Sequence, residues 1–505
     1  MKIRPGPIAA LALLAGLGAW VYLGEFRGAA DRQKAEQEKD RLFAFERADL
    51  RAIVVRNPAG SVRLQRDGDT WGVVEPLSAP ADRDAVEGML SSLESARVER
   101  RLGTDGDRKS YGLDPAPLGI TLETAAGPVS TVELGDTNPI GGAYFAALPG
   151  GELAVVSVSL GEVAKKDLFA VRDKSLVAFD PFKMKTLVIE RGGEVIALEK
   201  KETGWTMTRP VVAPADGPTI TDLLSALERV RAARFPADHP APDDLKAWGF
   251  EPPAVRLTLL QEGWDTARTV ELGAGKDGER HARTVGRDAV VSITPEFWPK
   301  ANVALFDLRR RDALGLSQYR LRSISIARDG GRALVLEKGD EGNWKVSGLA
   351  TGMVKFDSVD ALVRSIAGVK AVAFDDHPSK ALEASLAGRP AIDATFEQEP
   401  DAAGGAALRQ HLIFGAVGKD GRMPVKDLDW ASVLWAEGAA LAGIGEHIDA
   451  LVKEAAAPPA ASEPAAPVAP PAAGVAPSDG AAPPTGGGSA PAASPAPPPG
   501  APQRF

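Results

Sequence analysis

Apolar residues fall at positions 0, 3, 4, 7 and 10 of three separate stretches. The first is Val86, Met89, Leu90, Leu93 and Ala96. The second is Ile220, Leu223, Leu224, Leu227 and Val230, and the third is Val359, Leu362, Val363, Ile366 and Val369. This spacing marks one face of an amphipathic helix. Each series starts fifteen residues after a tryptophan: Trp71, Trp205 and Trp344. Before each Trp the period shortens to two. The runs AIVV and VRLQ, TLVIE and VIALE, and SISIA and ALVLE read as paired strands. Their turns, Asn57-Pro58-Ala59-Gly60, Gly192-Gly193 and Asp329-Gly330-Gly331, carry residues that tolerate positive φ. The Trp then opens a third strand in WGVVEP, WTMTRP and WKVSGL.

The agreement continues beyond each helix. YGLDPAP at Tyr111 matches WGFEPPA at Trp248, with SLAGRPA at Ser385 as a reduced third form. Strand pairs follow: GITLET with TVELGD, VRLTLL with TVELGA, and IDATFE with HLIFGA, closed by Gly135, Gly273 and Gly415. AVVSVS and AVVSIT precede further helical stretches. The predicted fold class is α+β, with three tandem units of antiparallel β-meander, helix, β-meander and helix. The units are placed at 43–176, 177–314 and 315–454, the last degenerate, and each is long enough for its own core.

The clearest shared phrase is TWGVVEPLSAPAD, matched by GWTMTRPVVAPAD. Its residues read as architecture. Trp71 and Trp205 are strand core. Pro76 and Pro210 stop the strand, since proline has no N–H for the ladder. Asp82 and Asp216 cap the helix. The third unit lacks both prolines and has Lys355 at the Asp position, so Asp357 is expected to cap there instead.

Outside the units, Lys2 and Arg4 precede the apolar run 8–23, IAALALLAGLGAWVYL. At ~1.5 Å per residue it reaches ~24 Å, the short end of a membrane span. Trp20 and Tyr22 would lie at the far interface. Residues 1–28 are therefore expected to anchor the chain in the lipid bilayer of a bacterial inner membrane, with the bulk periplasmic. A cleaved leader, cut before Asp31, is the alternative, and both readings export the body. Residues 29–42, charged and rich in helix formers, read as a helical stalk. Residues 455–505 are rich in Pro, Ala and Gly and almost without large apolar side chains, so a disordered tail is expected.

The net charge of -9 is dispersed, without a basic stripe, which argues against nucleic acid. The chain has no cysteine, which excludes disulfides and thiolate chemistry. The histidines, His239, His281, His377, His411 and His447, have no short zinc spacing and read as surface or capping residues. GAGKDG, from Gly273 to Gly278, is close to a phosphate loop. It lacks the upstream Gly and has Asp277 after Lys276, so it reads as a strand-end turn. There is no G-x-S-x-G elbow. The carboxylate pairs Asp243/Asp244, Asp375/Asp376 and Asp427/Asp429 suit turns and caps as well as acid–base work. No catalytic, cofactor-binding or metal-ligating residue is assigned from the sequence, and no cofactor is expected.

The strand-Trp-Pro-Ala-Asp-helix phrase and the YGL-P phrase resemble a bacterial family catalogued as domain of unknown function 4340. The resemblance is good over the first two units and loose over the third. It implies an N-terminal membrane helix, an exported body and a genomic neighbourhood of ABC-type transporter and gliding-motility auxiliary components. It implies no catalytic residue. The expected function is a non-enzymatic, membrane-tethered scaffold or auxiliary subunit with a protein partner in an envelope complex. A glycan- or peptide-binding module is the second reading, with Trp264, Trp298, Trp430 and Trp435 as candidate platform residues. An envelope hydrolase is the third.

Overall fold

A computed structural model describes residues 40–456, apart from 140, 276–277, 340–342 and 401–406. The expected anchor at 1–28, most of the stalk and nearly all of the tail lie outside the described residues. Among the described residues no helix is long and apolar enough to cross a membrane.

Three nine-stranded antiparallel sheets carry the fold. The first contains β1 (Leu50–Asn57), β2 (Gly60–Asp67), β3 (Thr70–Glu75), β4 (Ala79–Pro80), β5 (Val98–Gly103), β6 (Leu118–Thr124), β7 (Gly127–Thr137), β8 (Tyr144–Ala147) and β9 (Leu153–Val156). The second contains β10 (Met184–Arg191), β11 (Glu194–Lys201), β12 (Gly204–Arg209), β13 (Ala213–Pro214), β14 (Arg234–Ala237), β15 (Val255–Gln261), β16 (Arg268–Ala274), β17 (Arg280–Thr284) and β18 (Val290–Ile293). The third contains β19 (Leu321–Arg328), β20 (Leu334–Lys338), β21 (Trp344–Gly348), β22 (Gly352–Val354), β23 (Ala371–Asp375), β24 (Ile392–Gln398), β25 (Leu408–Phe414), β26 (Arg422–Asp427) and β27 (Val433–Glu437). The strand order is β4-β3-β2-β1-β6-β7-β8-β9-β5, and the other two sheets repeat it position by position.

This corrects the α+β expectation. The two meanders of each unit are halves of one sheet in a β-rich fold. Their first strands pair antiparallel, with Ile53 opposite Leu122, Ile189 opposite Leu257 and Ile324 opposite Phe396. The strand after the helix went unread. In β5, VERRLG, only Val98 is buried, because an edge strand need not alternate. β4 and β13 are two residues long, below any periodic signal.

The main helices, α1 (Arg83–Ser95), α2 (Gly217–Arg229) and α3 (Phe356–Ala367), leave one sheet edge and lead to the other. Each buries the predicted stripe into its own core. Four such side chains per helix contribute roughly 1.5–3 kcal/mol each. Trp71, Trp205 and Trp344 occupy equivalent registers, opposite Arg66, Lys200 and Lys338. Trp205 and Trp344 are buried, and Trp71 is half-buried against its core.

Asp82 Oδ1 accepts from the Ala85 amide at 2.8 Å, and Asp216 Oδ1 from Thr219 at 2.8 Å. Asp357 does not cap α3. It lies in the first turn, and Lys355 holds the cap position without a side-chain bond. The free amide of Lys355 instead donates to Glu454 Oε1 at 2.9 Å. Glu454 belongs to α4 (Ala439–Ala456), which extends the ordered chain through the first two residues assigned to the tail. At the other end, residues 40–42 are not a free stalk. Val98 donates to the Asp40 carbonyl and Leu42 to that of Ala96. Asp216→Ala is expected to cost about 1 kcal/mol, read as a lower urea midpoint with an unchanged m-value.

Candidate functional site at the repeat junctions

The chain passes from each sheet to the next through a segment that pairs with both. At the first junction Asp82 N–H donates to the Val171 carbonyl, Asp173 N–H to Pro80, and Ala232 N–H to Lys174. At the second, the corresponding donors and acceptors are Asp216 to Leu308, Arg310 to Pro214, and Ala371 to Arg311. The segment thus ties the short edge strand of one sheet to the residues that lead into the far edge strand of the next.

Each segment carries one buried arginine. Arg172 pairs with Asp238 at 2.5 Å, and its guanidinium lies 3.7 Å from the centre of the Phe235 ring. Arg309 pairs with Asp376 at 2.7 Å and lies 3.8 Å from the Phe374 ring. Both arginines are buried. A cation stacked on a ring and paired with a carboxylate gains from both contacts, and at the second junction the pair is also a hydrogen bond. This clamp was missed at the sequence level. Its signal is the tripeptide Asp-His-Pro, present at Asp238-His239-Pro240 and again at Asp376-His377-Pro378.

Beside each clamp lies a cleft built from equivalent positions. The first measures about 190 Å³ and the second about 40 Å³. In the second, Trp430, Ser432, Val425 and Leu434 stand where the first has Arg287, Ala289, Ala282 and Val291. Ser432 Oγ also donates to Asp376 at 2.8 Å. The second cleft also holds Arg310, whose ordinary pKa is lowered by burial against the pull of Asp427 and Asp312. Burial pushes the Asp427 carboxyl up, against bonds from Gln410 Nε2 at 2.7 Å and the Asp429 amide at 3.1 Å.

Each carboxylate pair has a member engaged in the fold. Asp376 closes a clamp, while Asp375 accepts from the His377 amide. Asp244 accepts from the Ala241 amide at the start of a short helix. Asp427 and Asp429 sit in one turn. A further buried carboxylate, Glu271, bonds Arg256 at 2.8 Å and Arg283 at 2.7 Å. Burial would raise its pKa, but the two guanidinium bonds outweigh that and hold it low. The equivalent residue in the third sheet is Ile413, packed with Leu382 and Leu386. GAGKDG is a strand-end turn in its described residues, with the Gly275 amide bonded to the Glu279 carbonyl. Trp264 and Trp298 pack on the second core under Arg268 and Arg280. Trp435 lies within β27, opposite Pro424. Of the four candidate tryptophans, Trp430 lines a cleft. Among the described residues no group of three or more His, Asp or Glu is placed to hold a metal ion.

One histidine departs from expectation. His281 is 2% exposed, stacked on Trp248 with ring centres 5.2 Å apart. In the first sheet the same pairing is Tyr111 with Phe145. His281 faces Ser292 across β17 and β18, with Glu279 and Arg234 at the rim. Burial lowers its pKa, Glu279 opposes this, and Arg234 adds to it. The unfolded chain then takes up a proton near pH ~6.5 that the folded chain refuses. Stability is complete above that pH and falls as pH drops toward the folded-state pKa. His281→Phe, copying the first sheet, is expected to remove a slope of up to ~1.4 kcal/mol per pH unit. Urea midpoints of both proteins between pH 7 and pH 5 check this.

The described region is thus a tandem array of three β-sheets joined at two clamped junctions. A family model described as Domain of unknown function (DUF4340) matches residues 71–207 and 205–386, and the chain belongs to that family. The matches run from Trp71 to Met207 and from Trp205 to Leu386, so each starts at the repeated tryptophan. No curated protein matches the chain.

Proposed function

We propose that the protein is a non-catalytic docking scaffold, an auxiliary subunit of an envelope complex of the ABC-transporter type. The observation that carries this reading is the pair of clamps. Two junctions, locked by the same Arg-Phe-Asp arrangement and by backbone bonds on both sides, suit a chain that must hold several surfaces in fixed relation. Inter-domain contacts without such locks move freely as a default. Several carboxylates are engaged in caps and clamps and His281 in stacking, which favours docking over hydrolysis. Export belongs to the proposal and rests on the run 8–23 behind Lys2 and Arg4. The transporter association rests on family resemblance. The test is affinity purification of the chain from cross-linked, detergent-solubilised envelopes. Stoichiometric recovery of transporter subunits is expected. Recovery of the chain by itself, or with glycan only, overturns the reading.

A further inference from the structure

We infer that the open cleft between the first two sheets receives an aromatic side chain of a partner polypeptide. The inference rests on the docking reading and names the chemistry of its contact. The second junction offers the comparison for these positions. There the chain's own Trp430 lines the cleft, with larger residues at three neighbouring positions, and the volume falls to about 40 Å³. Trp430 there also lines a wider cleft of about 500 Å³. At the first junction Arg287, Ala289, Ala282 and Val291 leave about 190 Å³. A cavity of roughly 150 Å³ can hold a benzene ring, so this open cleft of mixed polar and apolar lining has room for one planar side chain.

The lining agrees. Leu77, Pro80, Leu176, Phe235 and Val291 supply an apolar wall. Charge does not select an ion. Arg172 is committed to Asp238, Arg283 to Glu271, and Asp173 Oδ1 accepts from the Ser175 amide and hydroxyl at 2.9 and 2.6 Å. Arg287 is loosely held, 3.4 Å from the Ser175 carbonyl and 3.9 Å from Asp173, and the exposed His239–Asp288 pair, 3.4 Å apart, stands beside it. A guanidinium so placed can stack on an incoming ring. Aromatic residues seated in preformed pockets are the usual anchors of protein interfaces.

The test uses the purified full-length chain and N-acetyl-tryptophanamide as probe, with N-acetyl-alaninamide as control, followed by saturation-transfer NMR. Transfer to the indole protons, and none to the alanine methyl, is expected. The double variant Arg287→Trp, Ala289→Ser copies the second junction. It is expected to keep the wild-type melting temperature and to weaken transfer at least fivefold. Equal transfer in the folded variant, or none from wild type at 10 mM probe, overturns the inference. A variant that fails to fold is replaced by Ala282→Val, Val291→Leu, which narrows the cleft from its wall and carries the same expectation. Because the probe needs no partner, failed envelope purification beside a positive probe result would sink the scaffold reading alone.

Discussion

Arg309→Ala is expected to lower the stability of the protein by about 2–4 kcal/mol. The side chain is 4% exposed and its partner Asp376 is 28% exposed. Breaking a buried ion pair from one side costs about 3–5 kcal/mol, because the remaining charge stays desolvated. The part-exposed aspartate reduces that figure. Loss of the contact with Phe374 adds to it. Arg172→Ala should behave alike, since its geometry repeats within a few tenths of an ångström. The consequence for cooperativity is as informative as the midpoint. Arrays whose units touch only their neighbours gain all-or-none unfolding from the interfaces between them. Denaturant unfolding of Arg309→Ala, followed by far-ultraviolet circular dichroism, should therefore broaden or split into two steps. A single wild-type transition would show that the backbone bonds alone hold the junction.

Gly273→Ala should cost about 3 kcal/mol or more. A Cβ added there would lie 2.1 Å from the Trp248 carbonyl oxygen and 3.2 Å from Phe250. Gly135 meets the Tyr111 carbonyl at the same 2.1 Å. Backbone cannot yield as a side-chain tip does, so overpacking here exceeds the usual 1–3 kcal/mol. The glycine lets the YGL-P or WGF-P turn lie flat on the second strand of the pair. Gly88→Ala, on α1 with nothing within 4 Å of the new atom, serves as the control and should be neutral or slightly stabilising. Soluble yield and urea midpoints of the two variants decide the matter. Equal midpoints would remove this glycine from the architecture.

These residues also show how far the sequence can be read. The three helix stripes, the hairpin turns, the repeated tryptophans and the two aspartate caps were legible, because each depends on local spacing or turn chemistry. The closure of each unit into one sheet was not. It depends on β1 meeting β6 some sixty residues later, and pairing over that distance leaves no periodic trace. The edge strand β5 was hidden by its charge, and β4, β13 and β14 by their length. His281 was assigned to the surface since nothing local distinguishes it from His239, which is exposed. Only the tertiary stack on Trp248 places it inside. The clamps left a faint mark in Asp-His-Pro, which gained meaning once the arginines were found across from it.

Each family match begins at the repeated tryptophan and runs on into the following copy, the first ending in β12 and the second in the helix Lys380–Gly388. The unit starting at Trp205 therefore contains Phe235 and Asp238, which grip the arginine behind it, and Arg309, which reaches forward. A gene duplication that copies this stretch inserts a module with socket and plug already matched. Lengthening such a protein then requires no newly invented surface, only another round of copying.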